Sequence, residues 1–504
     1  MSTARKILSN TLWQILGKIV MAFFGLAVVK MSTIYLSKHG YGEYVVVYEL
    51  LAFFGIAADL GLYTIAVREM SKDEDKMEKI IGNVLSLRTI LSFVAMATAV
   101  AAVFLMPNYA STRIPLGVAI ASVTVFLTII NGTITSVLQT KLKMHISAIG
   151  NVLGKAVSVA FMFYIVFYGY PNDVETGFYM LISAGILGNL VMLFYTERCV
   201  SKITKLEYRF DFDIWKDVFI KALPYGLALI LNTFYFRINS ILISFIRGQE
   251  EVGIYAVAMR ILEQLSILPL YFMNSVLPVL TKSLNTKEDG KYKRIISYSF
   301  DFLSALSLPA VVGGFILAYP IIFIVSTPEF LSRLSEGFYG SDMAFKILIF
   351  ASLFQFLNIL FAFVLIALNK QTKLLYINGG CVIFNIILNL ILIPKFGFRG
   401  AAFSSVLSEF FILTFTYLYA KKYLDFSLNF KNTFKMLFSA LVMGATVYLL
   451  QPITYKYIQN WNVILLIFLG MIIYGALLFI TKTISKDMIR LLKKEPPAET
   501  IKVE

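Results

Sequence analysis

The sequence is poor in the residues that build most catalytic and metal sites. Its 504 residues include only two cysteines and two histidines. Cys199 lies in a basic loop and Cys381 in an apolar segment, so we expect neither a disulfide framework nor a thiolate metal site. His39 and His145 lie in short loops far apart in the sequence, which favours interfacial positions over a role as metal ligands. Charged residues make up 15% of the chain, whereas a soluble domain carries about 25%.

Nucleotide-binding and zinc-protease motifs are also missing. The chain has no G-x-x-x-x-G-K-[ST] sequence, and the nearest fragment, 150–156, has the wrong glycine spacing and lies in a predicted spanning helix. There is no H-E-x-x-H sequence. The acidic cluster 73–75 is flanked by lysines in a loop and is expected to be solvated. The sequence therefore predicts a protein that is not an enzyme and that has no cofactor and no metal site.

Long apolar segments dominate the rest of the chain. Hydrophobic residues make up 58% of it, and the mean hydropathy is +0.77. Because about 20 apolar residues in a helix cross a bilayer, we predict an all-α polytopic membrane protein with about fourteen transmembrane helices. The predicted spans are 8–36, 42–67, 80–105, 115–138, 147–169, 176–196, 218–246, 252–280, 294–326, 345–368, 374–394, 399–420, 434–451 and 461–481.

Positive charge alternates between the two sides of the predicted spans. Most of the 45 lysines and arginines fall in loops and helix ends on the side of the two termini. The positive-inside rule assigns that side to the cytoplasm, and this accounts for most of the net charge of +15 without a nucleic-acid partner. The first apolar segment is too long for a signal peptide, so we expect it to be retained. These features predict a multi-pass protein of the plasma or inner membrane with both termini cytoplasmic.

One stretch, 40–68, has a variant later in the chain at 252–260. A shared start to two helices at this separation suggests two similar halves. We interpret the chain as two membrane bundles that face each other across a path. The alignment places Gly42 on Gly253, Tyr44 on Tyr255 and Glu49 on Arg260.

Charged residues inside the predicted spans are the main functional signal. A charge in a spanning helix costs about 2.5–3.5 kcal/mol on insertion scales, so it normally faces an aqueous cavity or a partner. The predicted cationic substrate path consists of Lys18, Arg88, Lys155, Arg237 and Arg260. The predicted polar lining, at helical spacing beside these cations, consists of Asn10, Gln14, Asn151 and Gln264. The acids assigned to coupling or gating are Glu49, Asp59 and Glu263.

Each of these residues also has a purely structural interpretation, which the sequence leaves open. Arg260 and Glu263, three residues apart, fit a pair that only neutralises itself. Asp59 fits helix packing or a cytoplasmic gate as well as a transported ion. Arg88 and Lys155 also fit contacts with lipid headgroups. The asparagines of the eleventh span fit hydrogen bonds between helices better than ligand contacts; they are Asn378, Asn385 and Asn389.

A charged and aromatic linker, 201–217, separates the predicted halves. It fits either an amphipathic helix on the membrane surface or a solvated connection. The predicted organisation is an N-terminal six-helix bundle (1–200), this linker, a C-terminal six-helix bundle (218–422), two further transmembrane helices (423–484) and a cytoplasmic tail (485–504).

Four motifs carry a resemblance to a known family. They are Gly42-Glu43-Tyr44 with Asp59-Leu60-Gly61 and Arg68-Glu69; Lys221-Ala222-Leu223-Pro224-Tyr225-Gly226; Val252-Gly253-Ile254-Tyr255; and 385–397 followed by Gly400-Ala401-Ala402. These motifs resemble those of polysaccharide-unit (O-antigen type) flippases of the multidrug/oligosaccharidyl-lipid/polysaccharide exporter superfamily. Related lipid flippases and multidrug exporters share parts of them. Many relatives carry an acid where this chain has Asn239, which puts an ion-coupling role of that position in doubt.

The resemblance implies a MATE-like fold, in which two six-helix bundles are related by a pseudo-two-fold axis and two helices are added at the C-terminus. It implies a transporter that flips a polyprenyl-pyrophosphate-linked oligosaccharide from the cytoplasmic to the outer leaflet by alternating access. The implied partners are this lipid-linked oligosaccharide, membrane lipids, and the polysaccharide polymerase and glycosyltransferases of the same pathway. An ion-coupled multidrug exporter and a cell-wall lipid-precursor flippase of the same fold stay open as alternatives. A membrane glycan polymerase or ligase is the alternative from another class.

Overall fold

The computed structural model describes residues 3–73, 75–285, 290–428 and 430–483. Their secondary structure is almost entirely helical, which confirms the predicted all-α class. The predicted tail, 485–504, lies outside the described residues. The helices are α1 (Thr3–Tyr35), α2 (Lys38–Asp59), α3 (Leu62–Lys72), α4 (Met77–Phe104), α5 (Ile114–Thr140), α6 (Met144–Tyr164), α7 (Val174–Val200), α8 (Phe212–Arg247), α9 (Gln249–Leu265), α10 (Ile267–Asn285), α11 (Lys291–Ile316), α12 (Ala318–Val325), α13 (Ser341–Ala367), α14 (Gln371–Phe396), α15 (Phe398–Tyr423), α16 (Phe430–Ile458) and α17 (Asn462–Ile480).

Twelve helical segments of the described chain are long and apolar enough to cross a membrane. They confirm a polytopic membrane protein, with a number of spans close to the predicted one. Three predicted spans are each divided into two helices. The divisions fall at Leu60 and Gly61, at Ser266 and at Leu317. Pro309 lies inside α11 and not at a division.

Polar side chains explain where several helices begin. The Ser37 hydroxyl accepts a hydrogen bond from the backbone nitrogen of Gly40 at 3.2 Å, at the start of α2. The Asp173 carboxylate accepts one from that of Thr176 at 3.1 Å, at the start of α7. The first N–H groups of a helix have no partner inside the helix, and such caps contribute about 0.5–2 kcal/mol each.

The chain packs as two compact units. Unit 1 comprises Met1–Ala256 and Asn389–Phe398. In this unit α5 packs against α4 and α7, α6 packs against α1 and α7, and α2 packs against α5 and α8. One apolar core of the unit joins buried side chains of α3, α4 and α5 to Val218 and Ala222 of α8.

Unit 2 comprises Val257–Leu388 and Arg399–Glu504. Here α11 packs against α13 and α16, and α16 packs against α17. Its buried aromatic side chains include Phe300, Phe361 and Phe426. The helix pair predicted as a C-terminal addition thus packs on α11. The predicted bundle boundaries and the pseudo-two-fold relation stay predictions.

The linker between α7 and α8 has no regular secondary structure over residues 205–211 and is docked on the start of α4. The backbone nitrogen of Arg209 donates to the Gly82 oxygen at 3.3 Å, and that of Asp211 donates to Asn83 Oδ1 at 2.7 Å. Lys79 Nζ lies 2.9 Å from Asp211 Oδ2, and this hydrogen-bonded ammonium lowers the pKa of Asp211 from its ordinary value. These hydrogen bonds and the ion pair hold the linker on the start of α4.

Candidate functional site

Each of the three arginines predicted inside the spans forms an ion pair with one of the three predicted acids. Arg237 pairs with Glu49, Arg88 with Asp59, and Arg260 with Glu263. The first two pairs lie in unit 1 and the third in unit 2. Pairing lowers the free-energy cost of keeping these charges inside apolar helices. Each arginine is thus held by an acid that the sequence had assigned to coupling or gating.

The Glu49–Arg237 pair connects α2 with α8. Arg237 Nη1 lies 3.0 Å from Oε1 and 3.1 Å from Oε2 of Glu49. The Glu49 side chain is 6% exposed and that of Arg237 is 27% exposed. The carboxylate is therefore buried, whereas the guanidinium keeps part of its surface accessible. The exposed part of the Arg237 guanidinium can therefore contact a second anion while the contact with Glu49 is kept.

The Asp59–Arg88 pair connects the end of α2 with α4. Arg88 Nη2 donates to Asp59 Oδ1, and its Nη1 donates to Thr133 Oγ1 of α5 at 2.8 Å. The Arg88 side chain is 4% exposed and that of Asp59 is 22% exposed. Within the described part of the chain, the buried Nε of Arg88 has no hydrogen-bond partner. Arg88 is therefore a buried cation whose hydrogen-bonding capacity is only partly used.

The helix that carries both acids is interrupted directly after Asp59. Leu60 has φ 42° and Gly61 has φ 76°, both in the left-handed region, and α3 begins at Leu62. Gly226 of α8 packs on this break, since a Cβ there would lie 2.7 Å from the Leu60 carbonyl carbon. The sequence predicted a single span over 42–67. Gly61, two residues after Asp59, is a helix-ending signal that this prediction did not use.

The third pair, Arg260 with Glu263, lies on one face of α9. Arg260 Nη1 is 2.8 Å from Glu263 Oε2, and the two side chains are 29% and 27% exposed. The neutralised pair considered from the sequence is thus formed, and both members keep accessible surface. The neighbouring Gln264 is also partly exposed.

The remaining predicted residues lie on α1 and α6 of unit 1. Lys18 is exposed on α1, and Lys155 and Asn151 are partly exposed on α6. These two helices pack together, and a Cβ on Gly17 would lie 3.1 Å from the Ala148 Cβ. The side chains of Asn10 and Gln14 lie outside the described part of the structure. The role of all these residues in a path stays a prediction.

A buried ion pair in unit 1 was not predicted from the sequence. Glu43, at the start of α2, accepts from Arg113 Nε at 2.6 Å, and the Arg113 guanidinium lies 4.5 Å from the centre of the Phe178 ring. The Glu43 carboxylate is buried. The sequence placed Arg113 in a loop, and no local pattern connects it to a residue so far away in the chain.

Asn239, the position at which the family resemblance leads one to expect an acid, hydrogen-bonds with two neutral side chains. Asn239 Nδ2 donates to the Tyr255 hydroxyl at 3.1 Å, and Asn389 Nδ2 donates to Asn239 Oδ1 at 2.6 Å. All three side chains are buried in unit 1. In unit 2, Asn385 donates to Ser404 and Ser408 of α15. The predicted role of Asn385 and Asn389 in joining helices is confirmed.

Comparison with known proteins identifies related sequences and folds. A family model described as "Polysaccharide biosynthesis protein" matches residues 7–284, and a second, MatE, matches residues 224–391. An uncharacterized membrane protein of Methanocaldococcus jannaschii is 27% identical over 330 residues, which are 62% of this chain and 60% of that protein. This chain thus spans less than two thirds of that relative. A probable low-salt glycan biosynthesis flippase of Haloferax volcanii is 24% identical over 356 residues, 70% of each protein.

A solved structure gives a match over nearly the whole chain. The lipid II flippase MurJ, in an inward closed conformation, superposes with a TM-score of 0.71 over 96% of this chain and 100% of that chain. The sequence identity is 15%, so this likeness shows the fold alone. It agrees with the MATE-like architecture implied by the sequence motifs.

Proposed function

Because the chain belongs to the polysaccharide biosynthesis protein family, we propose that it flips a polyprenyl-pyrophosphate-linked oligosaccharide across the membrane. In this proposal the lipid-linked sugar is taken from the cytoplasmic leaflet of the plasma or inner membrane and released in the outer leaflet by alternating access. Both termini are placed in the cytoplasm, where the enzymes that build the sugar act. The transport step makes and breaks no covalent bond of the substrate.

The family match and a relative named as a glycan biosynthesis flippase support the substrate class. The observation that carries the proposal is the Glu49–Arg237 pair. A partly exposed arginine between α2 and α8 provides a cation within the helices of unit 1 that can stabilise a pyrophosphate. Arginine binds phosphate oxygens in a bidentate way, and charge-assisted hydrogen bonds of this kind are about twice as strong as neutral ones.

The mechanism follows from the different exposure of the two partners. In the absence of substrate, Glu49 compensates the charge of Arg237 and keeps the guanidinium fixed. The pyrophosphate approaches the accessible side of Arg237 and shares or replaces the carboxylate as its counter-ion. When the headgroup leaves, Glu49 pairs with Arg237 again. The arginine therefore always has an anion beside it, and the cost of an unpaired charge in an apolar environment is avoided.

A reconstituted flipping assay tests the proposal. Proteoliposomes carry a fluorescent polyprenyl-pyrophosphate oligosaccharide in both leaflets, and an external quencher reports the arrival of inner-leaflet substrate at the outside. We expect flipping by the wild type, a loss with Arg237→Gln, and partial activity with Arg237→Lys, which keeps the charge but not the bidentate geometry. The control is Arg333→Gln, which removes an arginine from an exposed pair with Glu336.

The same vesicles separate the alternatives. A cationic dye in place of the lipid tests an exporter, which the MatE match to residues 224–391 keeps as the second candidate. Transport of the dye without flipping of the lipid overturns the proposal in favour of the exporter. Absence of both transport activities from folded wild-type protein also contradicts it. A glycan product formed from the supplied lipid would indicate the polymerase or ligase.

A further inference from the structure

The break between α2 and α3 places a new helix start inside a membrane-spanning segment. Lys38–Lys72 is one apolar segment long enough to cross the membrane, and α3 begins within it at Leu62. The N–H groups that begin a helix carry partial positive charge. In α3 the Thr64 N–H already donates to the Gly61 oxygen at 3.1 Å, so the N–H groups at issue are those of Leu62 and Tyr63. Broken spanning helices provide such ends for anionic groups in other transporters. α3 is 11 residues long, Leu62–Lys72, so it is about three helical turns and not a single turn.

A second, independent feature points to an anion at the same place. The Arg88 side chain is 4% exposed and reaches the break, because its Nη2 contacts Asp59, the last residue of α2. Its Nη1 contacts Thr133, while its buried Nε lacks a partner within the described residues. A buried donor without an acceptor is unfavourable, and a ligand oxygen relieves it.

Asp59, the partner of Arg88 in this structure, is expected to bind the arginine more weakly than a phosphate does. Asp59 ends α2, and a carboxylate at a helix C-terminus is disfavoured by the helix dipole. Asp59 is also the more exposed member of the pair, at 22%. Each phosphate of the lipid-linked pyrophosphate has two non-bridging acceptor oxygens, which can accept from the guanidinium and from the N–H groups of Leu62 and Tyr63 at the start of α3. Phosphate therefore competes well with Asp59 for Arg88.

We infer that the α2–α3 break, with Arg88, Thr133 and the first turn of α3, binds one phosphate of a pyrophosphate, which takes the place of Asp59 on Arg88. This inference rests on the proposed function and adds a specific subsite to it. Asp59 acts as an internal anion that holds the site closed when no phosphate is present. The site thus differs from the Glu49–Arg237 pair, in which the carboxylate is buried and the arginine is accessible.

Binding of inorganic pyrophosphate to the purified full-length protein in nanodiscs tests this inference. Calorimetry at constant ionic strength compares the wild type with three variants. Asp59→Asn removes the competing anion, and we expect it to bind pyrophosphate about tenfold more tightly. In the double variant Asp59→Asn/Arg88→Gln this gain is expected to disappear. The double variant removes both charges together, so no unpaired buried charge remains to prevent folding.

Glu43→Gln is the matched control, because it removes a carboxylate from another buried pair with arginine in unit 1. We expect its affinity for pyrophosphate to equal that of the wild type. Equal affinities of wild type and Asp59→Asn, or the same gain with Glu43→Gln, would overturn the subsite. So would a gain that persists in the double variant.

These outcomes are separable from a failure of the proposed function. Flipping of the lipid-linked oligosaccharide by the wild type, together with unchanged pyrophosphate binding in Asp59→Asn, rejects the subsite and leaves the flippase in place. Tighter pyrophosphate binding by Asp59→Asn, together with no flipping, supports the subsite as an anion site and rejects the substrate.

Discussion

Gly42 of α2 and Gly253 of α9 lie against each other. A Cβ placed on Gly253 would lie 3.2 Å from the backbone nitrogen of Gly42, and one placed on Gly42 would lie 3.1 Å from that of Gly253. These are the two positions that the sequence repeat aligned. The repeated glycine therefore has a packing reason at both sites, since only a residue without a side chain lets the two helix starts approach so closely.

We predict that Gly42→Ala and Gly253→Ala each destabilise the protein by about 1–3 kcal/mol, as overpacking does in a close-packed interior. The measurement is thermal unfolding in detergent or nanodiscs. Gly475→Ala in α17 is the control, because no atom lies within 4 Å of the added Cβ. Melting temperatures of the two variants equal to that of Gly475→Ala would contradict the packing argument.

Variants of the Glu49–Arg237 pair test whether the pair is needed for stability, for transport or for both. Removing one member of a buried pair costs about 3–5 kcal/mol, and we expect Arg237→Gln to fall in this range because it takes the counter-ion from the Glu49 carboxylate, which is 6% exposed. The double variant Glu49→Arg/Arg237→Glu restores an ion pair and most of the stability. It is expected to stay inactive in flipping, because the buried member is now the cation. Recovery of transport in the double variant would show that the pair has only a structural role.

Lys18 provides a test in which stability is expected not to change. Its side chain is exposed on α1, so Lys18→Ala should alter the free energy of unfolding by no more than about 0.5 kcal/mol. We expect flipping to fall about 10- to 150-fold, because a charge-assisted hydrogen bond to phosphate contributes about 1.5–3 kcal/mol. Lys422→Ala, at an exposed lysine in the last turn of α15, is the control. Full flipping by Lys18→Ala would remove Lys18 from the predicted path.

Docking of the linker on α4 should weaken in acid. The pKa of Asp211 is lowered in the folded protein by Lys79, so its contribution is present above the unfolded pKa of about 3.9 and is lost as the pH falls through the folded value. Hydrogen exchange of residues 205–211 measures this. At neutral pH we expect faster exchange in Asp211→Asn than in the wild type, and below the folded pKa the difference should vanish. A difference that is constant with pH would argue against the Lys79 contact.

The membrane potential should drive the proposed transport. Moving one negative charge outward from a negative interior is favourable by about 2.3 kcal/mol per 100 mV. In vesicles with a potassium gradient and an ionophore, we expect a larger outer-leaflet fraction of the lipid when the interior is negative. Liposomes without protein are the control. A distribution independent of the potential would mean that a co-transported cation cancels the moved charge.

The sequence predicted which residues are charged inside the spans, because lysine, arginine and acids stand out in apolar segments. It did not predict which acid meets which arginine across the helices. Glu49 and Arg237 lie on α2 and α8, and Asp59 and Arg88 lie on α2 and α4. Their pairing depends on helix rotation and register, which no local pattern encodes. Only the pair on a single helix, Arg260 with Glu263, follows from spacing alone.

The helix breaks were less predictable than the helices. Hydropathy measures how long an apolar segment is, but a left-handed residue such as Leu60 changes the backbone direction without changing the composition. Leucine rarely adopts a positive φ, at a cost of about 1–2 kcal/mol, so tertiary contacts have to maintain it. The close packing of Gly226 on Leu60 is one such contact. A Gly at position 61 was the only local hint.

Asn389–Phe398 belong to unit 1 although Val257–Leu388 of unit 2 precede them in the chain, and this determines when unit 1 can finish folding during synthesis. Glu251 accepts a hydrogen bond from the backbone nitrogen of Phe398 at 2.7 Å, and Asn239 accepts one from Asn389. Unit 1 is therefore incomplete on a ribosome-bound chain until residue 398 of 504 has entered the membrane. Nascent chains that stop before residue 389 leave both polar groups without these partners in the bilayer.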